Sequence, residues 1–237
     1  MLFYQNFQEY LQQETQRLEI LKRTPLPHQG IISQTLLSTE SVNSASSPSS
    51  FSYLITHPVN HLYLDGQGII GDRHRCISRP SGGREKQLYP RGTEIIQRRH
   101  LLIVSQADCQ ALSDRIGVEI TPQLLGANLV IDDVNGHAFS MSMIPTGTHL
   151  VFTDPNLGSS SRPPLATLIA YVQQRGCGQT GKVIADHYQD QSLVKRFRDE
   201  SRENRGMIFC VEYPVKHSVP LSVGQTVEFY YASGISP

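Results

Sequence analysis

Cys177 is the residue of this chain whose surroundings most favour chemistry. It lies between Gly176 and Gly178, just after an apolar run that is typical of a β-strand. A turn flanked by glycines presents a side chain to the surface, and a thiolate is both a nucleophile and a soft metal ligand. Arg175 stands two residues before the cysteine, where its charge would favour the thiolate. The sequence therefore predicts a reactive thiol at Cys177, with an inert turn cysteine as the alternative.

A basic segment between Asp72 and Arg99 is the second sign of a binding site. It holds eight basic residues against three acidic ones, and seven of the eight are arginines. The basic residues are Arg73, Arg75, Arg79, Arg84, Lys86, Arg91, Arg98 and Arg99. A guanidinium group grips phosphate and carboxylate oxygens through paired hydrogen bonds. The cluster predicts a site for a small phosphorylated ligand, whereas each arginine taken alone could equally be solvated.

Composition excludes several classes of partner. Lys and Arg together number 21, as do Asp and Glu, so no global charge attracts nucleic acid. The four cysteines form no CxxC pair, which predicts reduced thiols in the cytoplasm. The N-terminus lacks the apolar core of a signal peptide, and no apolar run approaches the ~18 residues of a membrane span. We expect a soluble cytoplasmic protein that binds neither nucleic acid nor membrane.

The glycine pattern Gly66–Gly71 matches the G-x-G-x-x-G dinucleotide fingerprint, but its context does not fit. The fingerprint needs a strand before it and a helix after it. The residues after Gly71 show no helical apolar period. We expect a tight turn here that brings Asp72, Arg73 and His74 to a cavity.

The remaining cysteines are expected to have packing roles. Cys109 lies in a predicted helix and Cys210 in a predicted strand. Cys76 stands near His57, His61 and His74, but these residues lack the spacing of a zinc site. The sequence therefore favours Cys177 over the other thiols.

Short apolar runs predict many strands and few helices. The predicted strands cover 31–37, 52–57, 61–64, 101–104, 129–131, 149–152, 165–172, 207–212 and 226–231. The predicted helices cover 5–22, 105–116 with a capping box, and 190–203. Residues 72–92 read as a long functional loop. This pattern favours a closed or nearly closed β-barrel.

The order of several short motifs is similar to that of stand-alone MOSC domain proteins, a family named after the C-terminal domain of molybdenum cofactor sulfurases. The motifs are Gly71–His74, Tyr89–Ile95, Arg98–His100, Leu125–Val130, Ile144–Thr148, the turn at Cys177, Arg205–Met207, Val211–Pro214 and Val223–Gln225. The resemblance covers residues 30–232 and implies a mainly β fold with a few helices, the pyruvate-kinase-like β-barrel of the MOSC type. Residues 1–28 would form a helical extension and 29–235 the MOSC domain.

The resemblance also implies a ligand, the molybdenum cofactor, which is a pterin with a dithiolene and a terminal phosphate. Cys177 matches the cysteine that carries a persulfide or ligates molybdenum. Asn128 matches an asparagine expected to contact the pterin or the phosphate. Candidates to bind or orient the anionic end are Arg73, His74, Arg98, Arg99, Arg175 and Arg205.

Two departures from the family pattern bear on cofactor affinity. Family members commonly carry proline directly before the cysteine, where this chain has Gly176. They also have Gly-Asp before the last strand, where this chain has Gly224–Gln225. We expect the affinity for the cofactor to differ from that of relatives.

The resemblance leaves several activities open. In one, a cysteine desulfurase supplies sulfur, which Cys177 carries as a persulfide and passes to an acceptor; the sequence shows no pyridoxal-phosphate domain that could release this sulfur. In another, cofactor ligated by Cys177 reduces an N-hydroxylated compound with electrons from an electron-transfer protein. A non-catalytic module that stores or delivers the cofactor is the third. Residue types alone do not separate these three, and they do not predict an oligomeric state.

Overall fold

The computed structural model describes residues 27–38, 51–83, 85–153, 164–201 and 205–231. The predicted helix at 5–22, and with it most of the predicted extension, lies outside the described residues. Arg84 of the basic segment lies outside them as well.

Thirteen strands and four helices make up the described fold. The strands are β1 Gln29–Leu37, β2 His57–Pro58, β3 His61–Asp65, β4 Gly68–Ile69, β5 Ser78–Pro80, β6 Glu94–Ile96, β7 Leu101–Val104, β8 Leu129–Asp133, β9 His149–Phe152, β10 Ala166–Gln173, β11 Met207–Tyr213, β12 Val219–Ser222 and β13 Thr226–Tyr230. The helices are α1 Gln106–Ile116, α2 Pro122–Leu125, α3 Gly178–Tyr188 and α4 Leu193–Glu200. None of these helices is long and apolar enough to span a bilayer.

Seven strands close into a barrel in the order β1, β8, β7, β11, β10, β9 and β13, and β13 pairs back with β1. β7 and β8 run parallel, and the other neighbours in the ring run antiparallel. β2 pairs antiparallel with the end of β1. The strands β12, β3 and β4 form a small second sheet, and β5 and β6 form a hairpin. Closure leaves the ring without a free edge. The predicted mainly β barrel with a few helices is confirmed.

Successive side chains of a strand point to opposite faces of the barrel wall, so the core has two layers. All four residues of β7 are buried, since its two faces contact different layers. Leu101 and Ile103 belong to the cluster inside the barrel. Leu102 and Val104 belong to the cluster between the barrel wall and the helices. β7 is therefore a wall that supports the helical side of the molecule.

The loop between β7 and α1 shows why α1 starts where predicted. Ser105 accepts a hydrogen bond from Asp108 N, and the Asp108 carboxylate accepts one from Ser105 N, which forms the predicted capping box. Gly117 ends the helix with φ of 79°, a conformation that glycine adopts without strain. Cys109 on this helix is buried, and burial raises the pKa of its thiol, which confirms its packing role.

The structure differs from the sequence prediction in several elements, among them the short strands β4, β6 and β12 and the helix α2, which were not predicted. Instead of a strand over 52–57, Ser52–Leu54 forms a 3₁₀ turn closed by the bonds from Leu54 N to Phe51 O and from Ile55 N to Ser52 O. The predicted loop 72–92 contributes β5 to a hairpin. The α3 helix was not predicted, because two glycines lower its intrinsic propensity. Its Gly181 packs against α4, where a Cβ would lie 2.9 Å from Val194 O.

Candidate functional site

A cavity of about 290 Å³ lies on the outer face of the barrel, under the helical layer. Its floor is formed by Leu102 of β7 and Ile208 of β11, which face each other across the sheet. The whole lining is drawn from six segments of the chain. The polar residues in its lining include Arg73, His74, Arg99, Asn128, Cys177 and Arg205. Six of the eight predicted site residues therefore share one cavity.

Cys177 is the N-cap residue of α3, and this position defines the surroundings of its sulfur. Thr180 N donates to Sγ at 3.4 Å, and the Thr180 hydroxyl lies 3.2 Å from the same sulfur. The side chain is half-buried and lines the cavity. The N-terminal end of a helix favours negative charge, so this setting stabilises a thiolate. The cysteine is held by a helix, not by the flexible turn that the glycines predict.

Gly176, directly before the cysteine, packs closely against the end of α4. A Cβ at this position would lie 2.1 Å from Ser201 Oγ and 3.0 Å from Arg198 O at the end of α4. A Cβ at 2.1 Å from another atom is not tolerated, so a side chain here would force Ser201 and the end of α4 to shift. A Cβ on Gly178, by contrast, would meet no other atom within 4 Å. The two glycines around the thiol therefore have different roles.

Arg205 joins the start of α3 to the cavity. Its Nη1 donates to Arg175 O and its Nη2 to Thr180 Oγ1, both at 2.5 Å. The guanidinium also lies over the Phe197 ring, 5.7 Å from the centroid. Because Thr180 contacts Cys177, this buried arginine places its charge close to the thiol.

Arg73 and Arg99 bring two more guanidinium groups to the cavity. Arg73 Nη1 donates to Tyr53 O at 2.9 Å, and Arg99 Nη2 donates to Gln174 Oε1 at 2.6 Å. Burial lowers the pKa of Arg73 from its ordinary value, and the carboxylate of Asp72 opposes this shift. An arginine stays charged despite such shifts. Both side chains are therefore fixed cations.

Asp72 fixes the position of two residues in the cavity lining. Its Oδ1 accepts from His74 N at 2.8 Å and lies 3.0 Å from His74 Nδ1, and its Oδ2 accepts from Asn128 Nδ2 at 3.1 Å. Asn128 Oδ1 in turn accepts from Leu102 N at 3.0 Å. Burial would raise the pKa of Asp72, but the His74 hydrogen bonds and nearby positive charge hold it below its usual value. The predicted turn thus brings Arg73 and His74 to the cavity lining, whereas Asp72 lies buried behind His74.

The family comparison identifies the fold that carries this cavity. The MOSC domain model matches residues 90–228, more than half of the chain. The chain belongs to the MOSC domain family.

A protein of Bacillus subtilis is similar to this MOSC protein both in sequence and in its solved structure. The protein from Bacillus subtilis (strain 168), named "Putative metal-sulfur cluster biosynthesis proteins YuaD", is 31% identical over 162 residues, which are 68% of this chain and 77% of that protein. The crystal structure of the YUAD protein from Bacillus subtilis aligns with a TM-score of 0.69 at 24% identity, over 86% of this chain and 97% of that chain. The structural likeness confirms the MOSC-type fold.

Two predicted site residues lie outside the cavity lining of this MOSC domain. Arg98 places its guanidinium over the Tyr171 ring, 5.9 Å from the centroid. Arg175 is exposed, and its contribution is the backbone carbonyl that binds Arg205. Among the other loop arginines, Arg75 pairs with Asp65 at the end of β3 and Arg79 pairs with Glu85 of the loop, and neither arginine lines the cavity.

Several residues of the MOSC cavity were not predicted as site residues. Asp72 was expected near a cavity, but its hydrogen bond to Asn128 joins residues 56 positions apart, and no short-range sequence pattern predicts such a contact. Thr180 contacts the sulfur from the first turn of α3, and Gln174 accepts a hydrogen bond from Arg99. The described residues contain no cluster of three or more His, Cys, Asp or Glu side chains that could hold a metal ion.

A second and larger cavity of about 630 Å³ lies at the start of β1, the end of β8 and β13. Its lining includes Asp133, His137, Phe139, Glu228 and Tyr230. Asp133 Oδ2 lies 2.8 Å from His137 Nδ1, and the Tyr230 hydroxyl donates to Glu228. No arginine, lysine or cysteine occurs among the described residues that line it.

Proposed function

We propose that this MOSC protein carries sulfur as a persulfide on Cys177, in a pocket that binds an anionic ligand. One observation carries the proposal. The thiol stands at the N-terminus of α3 in a cavity lined by Arg73, Arg99 and Arg205, and no carboxylate occurs among the described lining residues. Such a pocket favours a thiolate and also a phosphate or persulfide anion.

The sulfur-transfer step requires a protein persulfide as donor, for which a cysteine desulfurase is the expected source. The Cys177 thiolate attacks the outer sulfur of the donor persulfide. A new S–S bond forms on Cys177, the donor S–S bond breaks, and its electron pair leaves with the donor thiolate. The exchange needs no external oxidant or reductant. A later acceptor removes the outer sulfur in the same way and restores the Cys177 thiolate.

The printed name of the relative YuaD agrees with a role in sulfur chemistry. That name refers to metal-sulfur cluster biosynthesis. A carrier that delivers sulfur from its own thiol would serve such a process. For this chain, the thiol in the cationic cavity is the physical reason to propose it.

The residues of the cavity also fit the molybdenum cofactor that the family resemblance implies. The three guanidinium groups would hold its terminal phosphate, and the soft Cys177 sulfur would meet its molybdenum. Asn128 uses one amide hydrogen for Asp72 and has a second for a ligand. When bound, the cofactor would supply either a sulfur acceptor or a redox centre.

The proposal is tested by loading the protein with sulfur. We expect incubation with a cysteine desulfurase and free cysteine to add about 32 Da, the mass of one sulfur atom, to the peptide that contains Cys177. The variant Cys177→Ser should gain no such mass. Mass spectrometry of the peptides measures both outcomes under non-reducing conditions.

A matched control is the variant Cys210→Ser, because Cys210 is a half-buried strand cysteine outside the cavity lining. It should load like the wild type. If sulfur is absent from Cys177 in the wild type, or appears equally on Cys76 and Cys210, Cys177 is not a dedicated carrier. Tight binding of molybdenum through Cys177 without sulfur loading would favour the oxidoreductase alternative.

A further inference from the structure

His74 is held by hydrogen bonds at the Cys177 cavity, and the proposed sulfur-transfer steps give it no role. Its ring lines the Cys177 cavity and is 40% exposed, whereas the carboxylate behind it, on Asp72, is only 2% exposed. Asp72 Oδ1 contacts both the backbone N and the ring Nδ1 of His74. Asn128 holds the other oxygen of the carboxylate. The imidazole is therefore anchored on one side and accessible from the cavity.

The chemistry of this contact determines the tautomer of the ring. A carboxylate can only accept hydrogen bonds, and the pKa of Asp72 lies below its usual value despite burial, so Asp72 is ionised at neutral pH. Nδ1 must then carry the hydrogen of the pair. In the neutral imidazole, Nε2 is left with the lone pair that can take up a proton. This is the arrangement that orients a general base.

We propose that His74 is the acid–base group of the Cys177 pocket and that Asp72 is its positioning residue. The proposal rests on Cys177 being the reactive thiol of the proposed function. His74 Nε2 takes the proton of the Cys177 thiol, which leaves a thiolate and an imidazolium. The Asp72 carboxylate stabilises that imidazolium. After the donor S–S bond breaks, the imidazolium returns its proton to the departing donor thiolate.

The groups around His74 leave few other candidates for a proton transfer at neutral pH. The charged or titratable groups near it are Tyr53, Asp72, Arg73, Cys76, Arg99, His100, Cys177 and Arg205. The arginines keep their charge. Burial lowers the pKa of His100, whose Nδ1 accepts a hydrogen bond from Val211 N, so it stays neutral. Cys76 lies outside the cavity lining, so His74 and Cys177 supply the imidazole and the thiol among the described lining residues. These are the two side-chain types that exchange protons near neutral pH.

The pH profile of Cys177 alkylation tests this assignment. Iodoacetamide is the probe, because it is neutral and its reaction requires only the thiolate. At pH 7, we expect His74→Gln to react about tenfold more slowly than the wild type, because the variant keeps the helix N-terminus and the arginines but loses the base that takes the thiol proton. The difference should vanish near pH 9.5, where the thiol ionises without help. Peptide mass spectrometry quantifies the modification at Cys177.

The matched control is His137→Gln, which removes the histidine of the Asp133 pair in the other cavity. This variant should keep the wild-type profile. A merely structural role of His74 predicts a rate reduced by the same factor at every pH, and either that result or an unchanged profile overturns the proposal. Nitrogen NMR of the wild type adds a second check, since an Nε2–H tautomer at His74 would also overturn it. Alkylation needs no persulfide, so a failure of sulfur loading alone leaves this test intact.

Discussion

A hydrogen-bonded Asp–His pair lies at each of the two cavities of this MOSC barrel, yet only the pair behind the smaller cavity is bonded to the strands of the barrel. In the smaller cavity, Asp72 also binds Asn128, which binds the backbone of β7. In the larger cavity, Asp133 binds His137 of the following turn, and the His137 side chain is 81% exposed. The same pair of residue types is therefore fixed in one place and solvated in the other.

Charge separates the two cavities more clearly than volume does. The lining of the smaller cavity has three arginines, and that of the larger one has Asp133 and Glu228. A phosphate would be attracted to the first and repelled by the second. The larger cavity also lacks a thiol among its described lining residues. Chemistry, and not size, therefore points to the cavity at Cys177.

The largest effect is expected where the thiol cavity depends on close packing. The substitution Gly176→Ala places a Cβ 2.1 Å from Ser201 Oγ and 3.0 Å from Arg198 O. Such overpacking should lower the free energy of unfolding by about 3 kcal/mol and should displace the start of α3. Urea denaturation measures the loss, and iodoacetamide labelling of Cys177 reports the displacement.

Gly178→Ala is the matched control for this substitution. Its Cβ would meet nothing within 4 Å, and alanine favours a helix over glycine. We expect unchanged or slightly higher stability, by at most about 1 kcal/mol. Equal losses in both variants would mean that the glycines act through the backbone and not through contact with α4.

The next largest effect is the difference between the stability lost on replacing Asp72 and that lost on replacing Asp133. In Asp72→Asn, the new amide must face either His74 or Asn128 with a donor where a carboxylate oxygen accepted, so stability should fall by about 2 kcal/mol at pH 7. In Asp133→Asn, the partner His137 is mostly solvated, and the loss should stay below about 1 kcal/mol. Equilibrium unfolding in urea distinguishes the two.

The same comparison has a predicted pH dependence. The pKa of Asp72 is lowered in the folded protein, so its contribution to stability is present above pH ~4, where the unfolded carboxyl is ionised. It is lost as pH falls through the folded pKa. The difference in the free energy of unfolding between the wild type and Asp72→Asn should therefore become smaller below pH ~4. A difference that stays constant in acid would show that the carboxylate charge is not the stabilising element.

Sequence reasoning predicted the barrel because its strands are short apolar runs, such as Leu101–Val104, that tertiary contacts reinforce. It also found most of the cavity, since Gly71–His74, Asn128 and Cys177 each stand in a recognisable motif. It missed α3, whose glycines are compensated by packing against α4. It could not separate Arg98 from Arg99, because the segment before β7 has no regular alternation to show which side chain faces the cavity.

These adjacent arginines provide the last and smallest test of the difference between the cavities. Arg99 lines the thiol cavity, while Arg98 lies over Tyr171 outside its lining. At constant ionic strength, Arg99→Met should weaken the binding of inorganic pyrophosphate about tenfold, which is about 1.4 kcal/mol. Arg98→Met removes the same charge and should change the affinity less than twofold. Isothermal titration calorimetry measures both, with one site per chain expected. Equal weakening by the two variants would mean that pyrophosphate senses the general surface charge, and the thiol cavity would then lose its claim to be the anion site.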